Sequence, residues 1–431
     1  MKTAREQPAE DYVIAKITLF GHTLKLTPAL RDQILITTWV FVTFKQFRFD
    51  ELILYPMALY FFWAFIRDFP QLIDMIARSL ILWAFPFWWV LSTTWAVQPE
   101  LVLRSGLQLL LTIMICYCAV LRLTPRQIMI AVLVAASWYG VLSFVEGLTS
   151  ARPERGVFSS KNSLGTAMVI LWLTALCSSL DTGLPRWFRL CAAGAALLGL
   201  YLIHVSNSAT AVLLGLAGFL IVVFLWMRKL VTFFALVFLL VWVLAISATL
   251  GAVVAFAVPN FNPLEQLLGL FGKDTTLTGR TVLWQYAFDQ IRQDPLLGVG
   301  VGGFWTPQDG FSTARRIYID FHKEAHANFS FHNAFLEIAV HQGLIGLGLV
   351  LTSIAWCLWR ITIAAIFDMS TPVTLFICLS LILLTRSLTE IGLLMPFSLL
   401  SMLFIMGGLF TLRQVYIPKQ GEITSNPQIV S

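Results

Sequence analysis

Charged residues are scarce in this sequence, and their scarcity decides its class. Only 12% of the 431 residues are charged and 58% are hydrophobic, whereas a soluble domain carries about 25% charged residues. The apolar runs are long and continuous, so they differ from the alternating strands of an outer-membrane barrel. Soluble proteins and membrane barrels are therefore excluded, and the sequence predicts an all-α polytopic membrane protein.

Cysteines that could indicate a disulfide framework or a metal site are also lacking. The six cysteines all fall within apolar runs, where a cysteine usually acts as a small buried hydrophobic side chain; they are Cys116, Cys118, Cys177, Cys191, Cys357 and Cys378. The sequence therefore predicts no disulfide, no metal and no other cofactor.

Twelve apolar runs approach the roughly 20 residues that a helix needs to cross a bilayer. They lie at approximately 30–46, 52–67, 78–97, 101–121, 127–146, 163–180, 187–205, 209–227, 231–257, 333–358, 372–388 and 393–412. Twelve crossings place the terminal segments, 1–29 and 413–431, on one side. The short loops on that side carry basic pairs such as Arg122 and Arg126, which the positive-inside rule assigns to the cytoplasm.

Residues 258–332 form the one long polar stretch between apolar runs, and this topology places them in a large loop on the outer side. The loop contains Arg280, Trp284 and several histidines, of which His332 lies where the chain re-enters the membrane. Long loops with polar chemistry usually carry function. We therefore expect the substrate to be handled at this loop.

Positive charges on the outer side run against the positive-inside rule and favour an anionic ligand there. They include Arg155 and Lys161 in one loop, Arg280 in the long loop and Arg386 at the end of the eleventh run. The planar guanidinium of Arg280 suits phosphate oxygens. The alternatives are a solvated loop with incidental charge and, for Arg386, a helical ion pair with Glu390 four residues later.

The histidines allow more than one interpretation. His332, followed by Asn333, could exchange a proton at neutral pH or lie at headgroup level. His322 and His326 are spaced for a shared helical face and, with His332 and His341, would suggest zinc, but no closely spaced acidic ligand accompanies them. A glycine-rich stretch at 298–303 lacks the strand–turn–helix context of a nucleotide loop, so a flexible or close-packed loop is favoured.

Several segments, taken in order, resemble the O-antigen ligase and Wzy-type polysaccharide polymerase superfamily over roughly residues 85–412. They read GVFSSKNSLG (156–165), TGRTVLW (278–284), DPLLGVG (294–300), HNAFLE (332–337) and GLIG (343–346). The Phe158-x-x-Lys161-Asn162 element and the segment 386–390 are most similar to Q-type exopolysaccharide-production polymerases. One departure is Ala209, since many relatives have Arg or Lys after a Ser-x-Ser pattern.

The resemblance implies a metal-independent glycosyltransferase in the bacterial inner membrane, with its active site facing the periplasm. Its donor would be a glycan on undecaprenyl pyrophosphate. Its acceptor would be a lipid-linked repeat unit in a polymerase, or the lipid A core in an O-antigen ligase. Membrane lipids and a chain-length co-polymerase are the further partners that such a function implies, and nucleic acid is not among them.

The resemblance also suggests roles for single residues. His332 would act as the base or orient the acceptor, and Arg280 would bind the pyrophosphate with the assistance of Arg155 and Lys161. Supporting roles would fall to the remaining members of the motifs, namely Asn162, Asn333, Trp284, Arg386 and Glu390. The alternative from another class is a secondary transporter, which would show internal repeats and charges at the bilayer midplane; neither is visible in the sequence.

Overall fold

The computed structural model describes residues 15–19, 22–227, 280–306, 312–324, 329–368 and 370–414. A short antiparallel hairpin comes first, with strands β1 (Ala15–Leu19) and β2 (His22–Leu26). The main helices that follow are α1 (Pro28–Phe44), α2 (Glu51–Ala77), α3 (Ile81–Leu91), α4 (Pro99–Arg122), α5 (Pro125–Thr149), α6 (Lys161–Leu180), α7 (Arg186–Val205), α8 (Ala209–Met227), α9 (Arg280–Gln293), α10 (Thr313–Asp320), α11 (Ala334–Phe367), α12 (Thr371–Ser387) and α13 (Leu399–Gln414).

The predicted all-α class is confirmed in the main, and the terminal hairpin is the exception. Seven described helices are long and apolar enough to cross a membrane, namely α2, α4, α5, α6, α7, α8 and α11. Three shorter apolar segments are Ile81–Thr94, Thr371–Ser387 and Leu399–Arg413. The predicted run 231–257 and the first part of the long loop, 258–279, lie outside the described residues. The count of twelve crossings and the loop's periplasmic side therefore stay predictions.

Paired charges explain why α2 ends ten residues beyond the apolar run 52–67 that the sequence predicted. The helix continues past Arg67 and Asp68 to Ala77. Asp68 is buried, and its carboxylate accepts hydrogen bonds from Arg67 at 2.7 Å and from Arg122 of α4 at 2.5 Å. A buried carboxylate that is paired and hydrogen-bonded avoids most of the cost of leaving water. Hydropathy alone ends the helix at these charges, whereas their pairing lets it continue.

The long helix α11 contains a break at Gly343, where φ is +67° and ψ is −178°. The backbone groups that lose their helical partners at the break form hydrogen bonds with residues 295–300, which include the start of the glycine-rich stretch. The N–H groups of Val299 and Gly300 donate to Val340 and His341 at 3.1 and 2.9 Å. Leu344 in turn donates its N–H to the carbonyl of Pro295 at 2.8 Å. Buried backbone groups need such partners.

The contact between the loop and α11 is close because each of the two segments carries a glycine there. Gly298 has a φ of +67°, and a Cβ placed there would lie 2.6 Å from the carbonyl oxygen of Val340. A Cβ on Gly343 would lie 2.0 Å from the carbonyl oxygen of Leu296. The glycine-rich stretch is therefore a close-packed loop, which was one of the two forms expected. It fixes the long loop to the helix that follows it.

We predict that Gly343→Ala destabilises the protein by roughly 1–3 kcal/mol or more, because a positive φ strains alanine and its Cβ meets backbone. The matched control is Gly348→Ala in the same helix, where an added Cβ meets nothing within 4 Å. That change should be neutral or slightly stabilising. Thermal unfolding of the purified protein in detergent measures both, and equal melting temperatures for the two variants would contradict the close-packed contact.

Candidate functional site

A cavity of about 510 Å³ opens at the end of the bundle where α1 ends and α2 begins. We call this end of the bundle the site end. The cavity lies between α1, α6, α12 and the loop before α13, and most of its walls are apolar. Its apolar lining includes Val42, Phe44, Leu54, Phe158, Ala167, Ile170, Leu383, Leu399 and Leu400. Arg386, Glu390 and Asp50 bring charge to the same cavity.

Glu390 is the residue at which several predicted site residues meet. His332 Nδ1 lies 3.8 Å from Glu390 Oε2, which is longer than a hydrogen bond and forms an ion pair when the imidazole is protonated. Burial acts to raise the pKa of Glu390, but His332, Arg386 and Arg280 act to lower it, and the net pKa lies below the usual value. Glu390 is therefore ionised at neutral pH.

The helical ion pair between Arg386 and Glu390, which was one alternative for Arg386, is not formed among the described residues, because their charged groups do not come within 4 Å of each other. Helix α12 ends at Ser387, so Glu390 lies beyond it, with its N–H donating to the carbonyl of Arg386 at 2.7 Å. Within the described part of the chain, the carboxylate makes its ion-pair contact with His332, and Arg386 acts on it from more than 4 Å. The guanidinium of Arg386 is thus left to face the cavity that it lines.

Arg280 reaches this group because α9 begins beside the re-entry segment. Trp284, one turn into α9, donates its indole N–H to the carbonyl of Phe331 at 3.0 Å. Leu283 and Phe331 are buried in one small apolar cluster with Val340 of α11. Helix α9, at the start of the described part of the long loop, is thus packed against the end of that loop. Arg280 comes near enough to Glu390 to lower the pKa of that carboxyl.

The backbone of His332 is held in an uncommon conformation, with φ at +50°. Such a φ is unusual for a residue other than glycine and persists only where its surroundings impose it. The N–H of His332 donates to the hydroxyl of Ser330 at 3.3 Å. Asn333 caps α11 by accepting from the N–H groups of Phe335 and Leu336 at 3.0 and 3.1 Å. Both contacts fix the direction in which the imidazole projects.

Glu337 is a site residue to which the sequence analysis gave no role. Its carboxylate accepts the N–H of Phe331 at 2.9 Å and the indole N–H of Trp305 at 2.8 Å, and lies 3.6 Å from His341. It therefore joins the first turn of α11 to the residue just before His332. The sequence signal was a carboxylate inside an apolar run, which is costly unless several donors meet it.

Lys161 and Arg155 are not among the described residues that contact Glu390 or lower its pKa. Both side chains are exposed, and in the part of the chain that the structure describes neither forms an ion pair with Glu390. Lys161 begins α6, two residues before Ser163, which lines the cavity. Asn162 accepts a hydrogen bond from the hydroxyl of Ser208 at 3.0 Å, which joins the start of α6 to the residue before α8. The assistance of Arg155 and Lys161 in binding an anion stays a prediction.

Three of the four histidines considered for zinc, namely His322, His332 and His341, lie within the described residues, and they form no group that could hold an ion. His322 is in the short turn after α10, His326 lies outside the described residues, and His341 is buried within α11 beside Glu337. Among the described residues, no three side chains of the usual metal-ligating types are grouped so that they could hold an ion.

The fold and the site together define a multi-pass helical membrane protein with a charged group at the mouth of a largely apolar cavity. Residues 194–351 match the family described as O-antigen ligase. The chain is also 29% identical, over 360 residues, to the exopolysaccharide production protein ExoQ of Rhizobium meliloti (strain 1021). This match covers 82% of this chain and 80% of that protein. The resemblance predicted from the motifs is therefore confirmed.

We predict that Glu337→Gln loosens the segment that carries His332. A glutamine amide keeps one accepting oxygen in place of two, so the N–H of Phe331 or of Trp305 loses its partner. A hydrogen bond to a charged group contributes about 1.5–3 kcal/mol, so the Phe331 amide should exchange hydrogen roughly tenfold faster or more. Hydrogen–deuterium exchange measures this. The control is Glu146→Gln at the exposed end of α5. Unchanged exchange at Phe331 would show that Glu337 does not hold this segment.

Proposed function

We propose that this protein is a membrane glycosyltransferase that polymerises oligosaccharide repeat units carried on undecaprenyl pyrophosphate. Its product would be an exopolysaccharide or O-antigen, made without a metal at the periplasmic face of the bacterial inner membrane. The match to the O-antigen ligase family and to an exopolysaccharide production protein supports an enzyme of polysaccharide biosynthesis. The observation that carries the proposal is the grouping of Arg280, His332, Arg386 and Glu390 beside the apolar cavity.

The cavity suits a lipid-linked donor. Its apolar walls would accept the first isoprene units, since a polyprenyl chain is driven out of water by its apolar surface. Arg386 lines the cavity, and Arg280 lies near the same carboxylate. Two guanidinium groups offer planar forks for the pyrophosphate oxygens. Arg155 and Lys161 would add positive charge from the start of α6, and Asn162 would keep that start in place.

In the proposed reaction, an acceptor hydroxyl oxygen bonds to the anomeric carbon of the donor as the bond from that carbon to the pyrophosphate oxygen breaks. The electron pair of the broken bond leaves with the pyrophosphate. Arg280 and Arg386 would stabilise the negative charge that develops there. The hydroxyl proton would pass to His332 as general base.

Glu390 would keep His332 in the productive orientation. Its carboxylate faces Nδ1. This favours the tautomer with the proton on Nδ1, which leaves Nε2 free to accept the hydroxyl proton. The imidazolium formed in the transfer would then be stabilised by the ionised carboxylate. The 3.8 Å separation would shorten on substrate binding, as catalytic hydrogen bonds commonly do. Asn333 and Trp284 support the arrangement through the backbone on either side of His332.

We predict that His332→Ala and Arg280→Ala each abolish long polymer. Loss of a general base costs roughly 10²- to 10⁴-fold, and loss of one group that stabilises developing charge costs about 10²- to 10³-fold. Glycan chain length on gels, at matched expression, is the measurement. Arg292→Ala is the control, because Arg292 is an exposed arginine of the same helix that is paired with Asp289. Full-length polymer from both site variants would refute these roles.

The second candidate is an O-antigen ligase, and the description of the matched family favours it. It would use the same donor and the lipid A core as acceptor. Reconstitution with purified lipid-linked repeats and no lipopolysaccharide separates the two. A ladder of longer glycans supports the polymerase, whereas transfer that appears only after lipid A core is added supports the ligase.

The transporter alternative gains little from the fold. A broken helix such as α11 is a common feature of transporters, where the exposed backbone lines the substrate path. Here the backbone freed at Gly343 is instead paired with residues 295–300. Solute flux in proteoliposomes that lack any glycan lipid would restore this alternative.

A further inference from the structure

A second cavity, of about 560 Å³, adjoins the first at the site end of the bundle. It lies between the connection from α1 to α2, the first turns of α4 and the loop before α13. Asp50, Pro396 and Phe397 line both cavities. The sequence analysis gave none of its polar residues a role, and the proposed reaction does not use them.

The lining of this second cavity differs from that of the first, because polar side chains dominate it. They are Gln46, Arg48, Asp50, Glu51, Arg104 and Gln108. Two arginines and two carboxylates cancel in formal charge, so the cavity does not select an anion. Two amides add paired donors and acceptors. Such a set suits a neutral ligand that is rich in hydroxyl groups and offers many donors and acceptors of its own.

A partly exposed aromatic residue completes this lining. Tyr55 lines the cavity, and its phenol oxygen accepts a hydrogen bond from Arg104 Nη2 at 3.2 Å. Its side chain is 44% exposed. An aromatic surface beside charged hydrogen-bonding groups can cover the apolar face of a sugar ring while its neighbours bind the hydroxyls. The cavity is also within the range of volumes usual for ligand sites.

The wall between the two cavities is held rigidly. Phe397 has a φ of +56°, and its N–H donates to the hydroxyl of Thr112 on α4 at 3.0 Å. Its ring packs edge-on against Trp39, with 5.5 Å between the ring centroids. Asp50, which also lines both cavities, accepts a hydrogen bond from the N–H of Phe47 at 3.3 Å. A fixed junction would hold two substrates in a constant relation to each other.

We propose that this polar cavity, lined by Tyr55, Arg104 and Gln108, binds neutral sugar residues of the acceptor glycan. The inference rests on the proposed function, which needs two glycans at one reaction centre. The apolar cavity, with Arg386 at its mouth, takes the lipid pyrophosphate of the donor. The polar cavity has a mostly polar lining and adjoins the apolar one, so a sugar held there presents a hydroxyl toward the donor.

The test compares purified full-length variants in nanodiscs. Arg104→Ala and Gln108→Ala, alone and together, are assayed at saturating lipid-linked repeat unit whose acceptor hydroxyl is blocked, so that it serves only as donor. A lipid-free oligosaccharide, prepared from the cell's own polysaccharide, is varied as acceptor. Each lost hydrogen bond contributes about 0.5–1.5 kcal/mol, so the double variant should raise the acceptor KM roughly tenfold or more. The donor KM should not change.

The control is Arg78→Ala, because Arg78 is a partly exposed arginine that follows the opposite end of α2 and is paired with Asp74. An acceptor KM that stays at the wild-type value in the double variant would overturn the proposal. A donor KM that rises as much as the acceptor KM would overturn it too, since it would show a general loss of structure.

A binding measurement separates this inference from the proposed function. The same lipid-free oligosaccharide is titrated calorimetrically into the wild type and into the double variant, without donor. Binding that only the double variant loses supports the polar cavity even if no transfer is ever observed, in which case the proposed function alone fails. Equal binding by the two proteins, or no binding by either, overturns the cavity proposal whatever the transfer assay shows.

Discussion

The candidate site depends on a single carboxylate whose pKa is lowered by basic side chains from separate parts of the chain. Glu390 follows the end of α12, Arg280 begins α9 and His332 precedes α11, while Arg386 stands on α12 itself. Burial acts to raise the pKa of Glu390, but these neighbours outweigh it, and the pKa lies below its usual value. The long loop and the helix bundle are therefore joined electrostatically at the point where the proposed reaction takes place.

Two sets of contacts hold the long loop and His332 in place beside Glu390. The glycine-rich segment fills the break at Gly343 and fixes the loop to α11. Glu337 then holds Phe331, so that His332 keeps its uncommon φ and projects toward Glu390. The imidazole is thus preorganised by an apolar cluster and a few directed hydrogen bonds. Such support is expected at a site whose groups must not rearrange during transfer.

Much of the fold could be predicted from the sequence, because a membrane helix is a run of apolar residues and a run is visible along one dimension. Arg280 and His332, at either end of the part of the long loop that the structure describes, could also be found from their motifs. What could not be predicted depends on contacts between distant residues. The length of α2 follows from the pairing of Asp68 with Arg122. The partner of Glu390 is His332 because α12 stops at Ser387, and the role of Glu337 needs Trp305 beside it.

The most direct test of the central claim is a double-mutant cycle between His332 and Glu390 on the rate of glycan transfer. If the carboxylate acts through the imidazole, Glu390→Gln slows transfer in the wild type but has little further effect in the His332→Ala protein, which gives a coupling energy of about 1 kcal/mol or more. Additive effects of the two changes, within about 0.5 kcal/mol, would show that Glu390 and His332 act independently and would contradict the account.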